Sequence, residues 1–130
     1  MPFLYRAEVY LKAQQEILFA YLFGSLARGN PTPLSDIDIA VFLIEGVDPA
    51  EKKMDILGHL VELVGTDEID LVILNTAPLS LAGRILKNRK VIADTAPFLR
   101  HRYESLTLRE YFDFSLREMD ILKRRYLDGR

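Results

Sequence analysis

Apolar residues along the chain follow two patterns, one typical of buried strands and one typical of amphipathic helices. Four apolar or alternating runs predict strands, and they cover residues 17–23, 36–43, 69–74 and 91–93. Four segments with helical spacing or helix-forming composition predict helices, and they cover residues 5–16, 48–65, 79–87 and 107–126. The resulting order, α-β-β-α-β-α-β-α, predicts an α/β (α+β) domain with a small mixed sheet of about four strands flanked by helices.

Capping residues mark the predicted start of two helices. Asp48 is followed three positions later by Glu51, an arrangement typical of a helix N-terminus. Thr107 and Glu110 have the spacing of a capping box, so the last helix is predicted to cover residues 107–126. This helix has more apolar residues than a single stripe requires. It therefore has either a broad core face or an interface with a partner.

The composition indicates one globular domain spanning residues 1–130. Hydrophobic residues make up 49% of the chain and charged residues 28%, which is ordinary for a domain with its own core. The chain has no cysteine, which excludes disulfides, thiolate metal sites and cysteine nucleophiles. No apolar run reaches the roughly 18 residues of a membrane span, and the first residues lack the pattern of a secretory leader. We therefore expect a cytoplasmic protein that does not enter a membrane.

Charge is unevenly distributed along the chain. Residues 1–83 contain five basic and twelve acidic side chains, whereas residues 84–130 contain twelve basic and seven acidic ones. Such a split is compatible with a basic surface for polyanions, but a metal-binding acidic half beside a solvated basic half is the favoured explanation. We therefore predict no direct binding of nucleic acid from charge alone.

Gly24 and Ser25 directly follow the first predicted strand, and residues 25–28 predict a short helix. Glycine allows a close approach of the backbone to a ligand, and free N–H groups at a helix start attract anions. The Ser25 hydroxyl can donate to a phosphate oxygen, and Arg28, one turn later, can add positive charge. Gly24, Ser25 and Arg28 are therefore candidate residues for binding the phosphates of a nucleotide.

Three aspartates provide the candidate chemistry. Asp36 and Asp38 project to the same side of the second predicted strand, because alternate residues share a face. Asp70, in the third predicted strand, could complete a cluster of negative charge that requires a cation. Mg²⁺ prefers oxygen ligands and keeps substrate phosphates as co-ligands, so the three aspartates are predicted as catalytic residues and as ligands of two Mg²⁺ ions. Asp70 could instead accept the proton of an attacking hydroxyl.

The whole pattern resembles the nucleotidyltransferase superfamily of DNA polymerase β, and more closely its minimal nucleotidyltransferases. The resemblance covers about residues 10–95 and rests on three segments, Gly24-Ser25-Leu26-Ala27-Arg28-Gly29, Ser35-Asp36-Ile37-Asp38-Ile39-Ala40-Val41 and Ile69-Asp70-Leu71-Val72. It implies the nucleotidyltransferase fold and transfer at the phosphorus of a nucleoside triphosphate, with ATP as co-substrate. It also implies that Gly24, Ser25, Asp36, Asp38 and Asp70 occupy the nucleotide-binding and metal-binding positions of the family.

Short members of this class are similar to the MntA antitoxins, which are encoded with HEPN-domain ribonuclease toxins. That resemblance implies a hetero-oligomer with a HEPN toxin and transfer of AMP from ATP to a tyrosine hydroxyl of the toxin. Two alternatives remain open. The chain could transfer a nucleotide to a small molecule or an RNA end, or it could neutralise a partner by binding without catalysis. Replacement of Asp36 and Asp38 by asparagine separates catalysis from binding.

Overall fold

The computed structural model describes residues 2–27, 29 and 36–125, which form a mixed sheet between two layers of helices. The helices are α1 (Pro2–Ala13), α2 (Gly24–Ala27), α3 (Pro49–Val64), α4 (Leu79–Lys87) and α5 (Pro97–Lys123). The strands are β1 (Ile17–Phe23), β2 (Ile37–Leu43), β3 (Ile69–Ile73) and β4 (Lys90–Asp94). The predicted α/β (α+β) order is confirmed, with a 3₁₀ turn over Leu74–Thr76 in addition.

The four strands form one sheet in the order β3-β2-β1-β4. β1 is antiparallel to both β2 and β4, whereas β2 is parallel to β3. The parallel pair is connected through α3, as a parallel connection requires a crossover. β3 and β4 lie at the two edges of the sheet, so the predicted small mixed sheet is confirmed.

The two faces of the sheet carry separate hydrophobic clusters. Ile39, Val41 and Leu71 face one side, where they join buried residues of α1 and α3. Phe19 and Tyr21 face the other side, together with Ala40, Leu74, Ile85, Leu86 and partly buried Tyr103 and Leu108 of α5. Side chains alternate along a strand, so Asp38, two positions before Ala40, lies on the face that α4 and α5 cover.

Capping fixes the ends of α3 as the sequence predicts. The Asp48 carboxylate accepts hydrogen bonds from the backbone N–H groups of Ala50 and Glu51, at 3.0 and 3.5 Å. Gly65 ends the helix in the left-handed conformation, with φ of 82°, and its N–H bonds to the Val61 carbonyl. None of the helices in the described ranges combines the length and the apolar character needed to cross a membrane.

The predicted start of the last helix is wrong. α5 begins at Pro97, ten residues before Thr107, and Thr107 is buried in mid-helix rather than acting as a cap. Proline is favoured in the first helical turn, and no helix-breaking residue follows it before Thr107. The predicted end near residue 126 lies outside the described residues. α1 also begins earlier than predicted, at Pro2.

A buried polar cluster fixes α5 to the sheet. Glu104 Oε2 accepts hydrogen bonds from Tyr21 Oη at 2.7 Å, Arg89 Nε at 2.9 Å and Arg100 Nη1 at 3.0 Å. Arg100 Nε also donates to Asp94 Oδ2 at 2.8 Å. Burial alone would raise the pKa of Glu104, but the hydrogen bonds from Arg89, Tyr21 and Arg100 outweigh it and hold this pKa below its ordinary value. Glu104 is therefore a buried carboxylate whose charge is compensated by two arginines.

Candidate active site

Gly24 brings the backbone into contact with a carboxylate of the site. It lies at the junction of β1 and α2 with φ of 74°, a conformation that favours glycine. A Cβ atom added there would overlap Asp38 Oδ2 and lie 3.1 Å from Asp38 Cγ. Phe23, the preceding residue, pairs with Asp38 across the antiparallel strands. The absence of a side chain at Gly24 therefore makes room for the Asp38 carboxylate.

Asp38 and Asp70 lie next to each other on neighbouring strands. The parallel register of β2 and β3 pairs these two residues directly, and paired residues project to the same face. Asp38 is half-buried, whereas Asp70 is exposed. Two carboxylates that are far apart in the sequence thus occupy adjacent positions at one end of the sheet.

Asp36 lies just before the first residue of β2 and is exposed. In the described part of the chain, no three acidic or histidine side chains converge with the geometry of a metal site. The donor chemistry at Asp38 and Asp70 nevertheless fits Mg²⁺, because adjacent carboxylates are the oxygen ligands that this hard cation prefers. The joint role of Asp36, Asp38 and Asp70 as metal ligands stays a prediction.

Of the two remaining residues predicted to bind phosphate, the structure describes Ser25 but not Arg28. Ser25 is half-buried in α2, directly after Gly24. Arg28 lies outside the described residues, and its contact with phosphate stays a prediction. Ser25 is thus the predicted hydroxyl donor that the structure places next to Gly24.

A cavity of about 290 Å³ opens beside Gly24. Its walls include Phe23 and Gly24 on one side and Leu81, Ile85 and Asn88 of α4 and its C-terminus on the other. Two cationic side chains of α4, Arg84 and Lys87, also line it. Lys87 Nζ lies 5.0 Å from the centre of the Tyr111 ring, which orients the lysine by a cation–π contact. The cavity therefore combines the close backbone approach at Gly24 with positive charge.

Arg84 is not among the residues that the sequence pattern predicts for the site. The sequence feature that could have identified Arg84 is its i, i+3 spacing from Lys87, which places both side chains on one side of a helix. That spacing is common on solvated helices. Only the packing of α4 against the sheet shows that these residues border the cavity beside Gly24.

A second cavity, of about 660 Å³, opens beside Asp70. It lies between the start of α3, residues 70–73 of β3 and the 3₁₀ turn, and Leu81 separates it from the cavity beside Gly24, since this residue lines both. Most of its lining is apolar, with Lys53 and Asp70 as charged exceptions beside capping Asp48. Asp70 thus lines the largely apolar cavity, whereas Asp38 lies against Gly24, which lines the basic one.

Residues 7–97 match the family model of polymerase beta nucleotidyltransferases. The matched part includes all four strands of the sheet and therefore Gly24, Asp38 and Asp70. Among proteins with curated descriptions, none matches the chain.

Solved structures of toxin–antitoxin complexes share the fold. A chain of a toxin–antitoxin structure with AMP-PNP is 20% identical with a TM-score of 0.65, over 98% of this chain and 95% of that one. A chain of the complex between the tri-AMPylated Shewanella oneidensis HEPN toxin and MNT antitoxin is 19% identical with a TM-score of 0.62, over 98% and 97%. A chain of the toxin–antitoxin MntA–HepT structure is 20% identical with a TM-score of 0.58, over 95% of each.

Proposed function

The chain belongs to the polymerase beta nucleotidyltransferase family, and from that premise we propose a more specific activity. It transfers AMP from ATP, with Mg²⁺, to a tyrosine hydroxyl of a HEPN-domain ribonuclease toxin, and so acts as that toxin's antitoxin. The observation that carries the proposal is the register of β2 and β3, which pairs Asp38 with Asp70 beside Gly24. The choice of acceptor is supported by neighbours of the same fold, one of them bound to a tri-AMPylated HEPN toxin.

The cavity beside Gly24 is the proposed site of the triphosphate. Arg84 and Lys87 supply positive charge there, and Ser25 supplies a hydroxyl donor next to the Gly24 backbone. Asp36, Asp38 and Asp70 are the residues that would hold Mg²⁺, whose charge, when bound, stabilises the negative charge of the phosphates during transfer. The predicted use of two ions belongs to this proposal.

The transfer itself is an in-line displacement at the α-phosphorus of ATP. The tyrosine oxygen forms a bond to this phosphorus while the bond from the phosphorus to the bridging oxygen of the β-phosphate breaks. Pyrophosphate leaves with the electron pair of the broken bond. The phenol is largely protonated at neutral pH, because its ordinary pKa is about 10. Asp70, which is exposed and in reach of solvent, accepts the proton.

The outer half of α5 is the proposed contact surface for the toxin. It is defined here as residues 112–122, and its exposed large hydrophobic residues are Phe112, Phe114, Leu116, Met119, Ile121 and Leu122. Single exposed apolar residues are ordinary, but a concentration of them on one helix is typical of an interaction surface. This interpretation favours the partner interface over the broad core face that the sequence left open.

The test is intact mass spectrometry of the HEPN protein encoded beside this chain, after incubation with the chain, ATP and Mg²⁺. We expect added AMP units with the wild type and none with Asp38→Asn. Asp67→Asn serves as the matched control, because Asp67 is exposed and precedes β3. It should transfer AMP like the wild type.

Two outcomes contradict the proposal. Suppression of the toxin by wild type and Asp38→Asn alike, without added mass, would establish neutralisation by binding. Transfer of a nucleotide to a small molecule or an RNA end, with none to the toxin, would establish a different acceptor.

A further inference from the structure

The cavity beside Asp70, called the edge groove from here on, runs along the outer edge of β3. Leu71, Val72 and Ile73 all line it, although consecutive residues of a strand project to opposite faces of a sheet. Contact with three consecutive strand residues fits a cavity whose wall is the edge of the strand. The other walls agree with this position, because they come from α3 on one face of the sheet and from Leu81 of α4 on the other.

β3 is an edge strand, and it pairs with β2 on one side only in the described sheet. In the described sheet, no second strand pairs with the backbone N–H and C=O groups on the outer side of β3. Such an edge can pair with an extended peptide by main-chain hydrogen bonds, a mode of recognition known as β-augmentation. The groove volume of about 660 Å³ also lies in the usual range of ligand sites.

Asp70 is the second residue of β3, and it lines the groove where β3 pairs with β2 at Asp38. An in-line displacement requires the attacking oxygen and the leaving pyrophosphate to be on opposite sides of the phosphorus. If the triphosphate lies in the basic cavity beside Gly24, the acceptor must approach from the side of Asp70. The apolar walls at Ala50, Ala77 and Leu81 suit an aromatic side chain better than a second polyphosphate.

We propose that the edge groove receives an extended segment of the protein acceptor, which adds as a fifth strand beside β3 and presents its tyrosine hydroxyl to Asp70. This inference rests on the proposed function and names the site where the acceptor binds. The occupant is a protein segment rather than a small molecule, because an open strand edge recognises peptide backbone.

The first experiment fills the groove from two of the elements that line it. Ala50→Trp adds bulk from α3, and Ala77→Trp adds it from the end of the 3₁₀ turn. We expect either change to lower kcat/KM for the HEPN protein by about 10–100-fold, with the Kd for ATP changed by less than about twofold. The matched control is Ala13→Trp, an exposed alanine at the end of α1, which should transfer like the wild type.

The second experiment measures amide hydrogen exchange with and without the HEPN protein, in the presence of a non-hydrolysable ATP analogue. Strand addition should slow exchange in residues 69–73. It should leave residues 90–94 of β4, the opposite edge strand, unchanged. This measurement needs no substitution, so it tests the inference even if a tryptophan variant fails to fold.

The outcomes separate the inference from the proposed function. If the wild type transfers no AMP to the HEPN protein, the proposed function fails. If the wild type transfers AMP and both groove variants do so equally well, without added protection in β3, the edge groove is not the acceptor site. A large loss of ATP affinity in Ala50→Trp and Ala77→Trp would assign the groove to the nucleotide and overturn the inference.

Discussion

Gly24 combines an unusual backbone conformation with direct contact to a carboxylate of the candidate site. Its positive φ already disfavours any side chain, and the Asp38 carboxylate occupies the space where a Cβ would lie. Gly29 has nearly the same φ, 76°, but an added Cβ there would meet none of the described residues within 4 Å. The two glycines therefore allow conformational strain to be measured separately from displacement of Asp38.

We expect Gly24→Ala to lower AMP transfer about 100-fold, because displacement of a catalytic carboxylate by about 1 Å has an effect of this size. Gly29→Ala should lose about 1 kcal/mol of stability from left-handed strain and retain most of the activity. Steady-state kinetics and urea unfolding of both variants make the comparison. Equal losses of activity would show that contact with Asp38 is unimportant.

Glu104 makes the stability of the chain depend on pH. Its pKa in the folded state lies below the ordinary value of 4.5, so the folded chain binds fewer protons than the unfolded chain in that range. The stabilisation is complete above the ordinary value. It is lost as the pH falls from there through the lower pKa of the folded state.

Replacement of this residue should have a pH-dependent cost. Glu104→Gln leaves Arg89 and Arg100 without their shared countercharge, and we expect a loss of about 3 kcal/mol near neutral pH. The difference from the wild type should shrink as the pH falls below 4.5. Urea unfolding between neutral and acid pH measures this. Glu110→Gln, an exposed change on the same helix, should show no such trend.

Among the elements, α4 and α5 pack through a glycine. A Cβ on Gly83 would overlap the Tyr111 ring and lie 2.8 Å from the Tyr111 Cβ, atoms that cannot move without shifting the helix. The Tyr111 ring also contacts Lys87, which borders the basic cavity. The spacing of these two helices therefore helps to position a residue of the candidate site.

Two helical glycines give a matched pair of substitutions. Gly83→Ala should destabilise the fold by about 1–3 kcal/mol through overpacking against Tyr111. A Cβ at Gly58, in α3, would meet no atom within 4 Å in the part of the chain that the structure describes, so Gly58→Ala should stabilise the fold by about 0.5–1 kcal/mol. Thermal or urea unfolding decides the signs. A stabilised Gly83→Ala would contradict the close packing described here.

Local sequence features predicted the elements of the sheet well. The apolar runs of β1 and β2 and the Asp48 cap of α3 depend on neighbouring residues, which the sequence displays directly. The sequence predicts the start of α5 at the wrong place because Thr107 and Glu110 have the spacing of a capping box. The earlier turns of the helix are held by the buried Glu104 cluster, which joins residues up to 83 positions apart. Long-range contacts of this kind leave no local pattern.

The arrangement of the candidate site follows from the sequence only in part. The alternation rule places Asp36 and Asp38 on one face of a strand, but it does not say which strand is the neighbour. The pairing of Asp38 with Asp70 depends on a crossover through α3, and the contribution of Arg84 depends on the packing of α4. The Asp38–Asp70 pairing and the position of Arg84 both depend on contacts between distant parts of the chain. No short segment of the sequence shows such contacts.

At the scale of the whole molecule, the first half of α5 packs against the rest of the protein, whereas its second half is exposed. Glu104 and Thr107 are buried, whereas Phe112 and Met119 are 62% and 66% exposed. A partner that covers the outer half of α5 would bury apolar surface without disturbing the sheet. Binding of the toxin and binding of ATP should therefore be separable.

We expect Met119→Glu to weaken the complex with the HEPN protein by at least about tenfold, because it places a charge in an apolar interface, while the Kd for ATP stays the same. Met54→Glu is the matched control, since Met54 lies in α3 and is 70% exposed. Calorimetry or co-purification of both variants measures the effect. An unchanged complex with Met119→Glu would place the interface elsewhere.

An open strand edge is also a risk, since two copies of the chain could join through it and start to aggregate. β3 is five residues long and carries the exposed charge of Asp70, and antiparallel pairing of two such edges would bring two of these charges together. The charge of Asp70, the proposed proton acceptor, would therefore also oppose self-association through this edge. We expect Asp70→Asn to self-associate at lower concentration than Asp38→Asn, as sedimentation velocity would show, which makes Asp38→Asn the better inactive form for study.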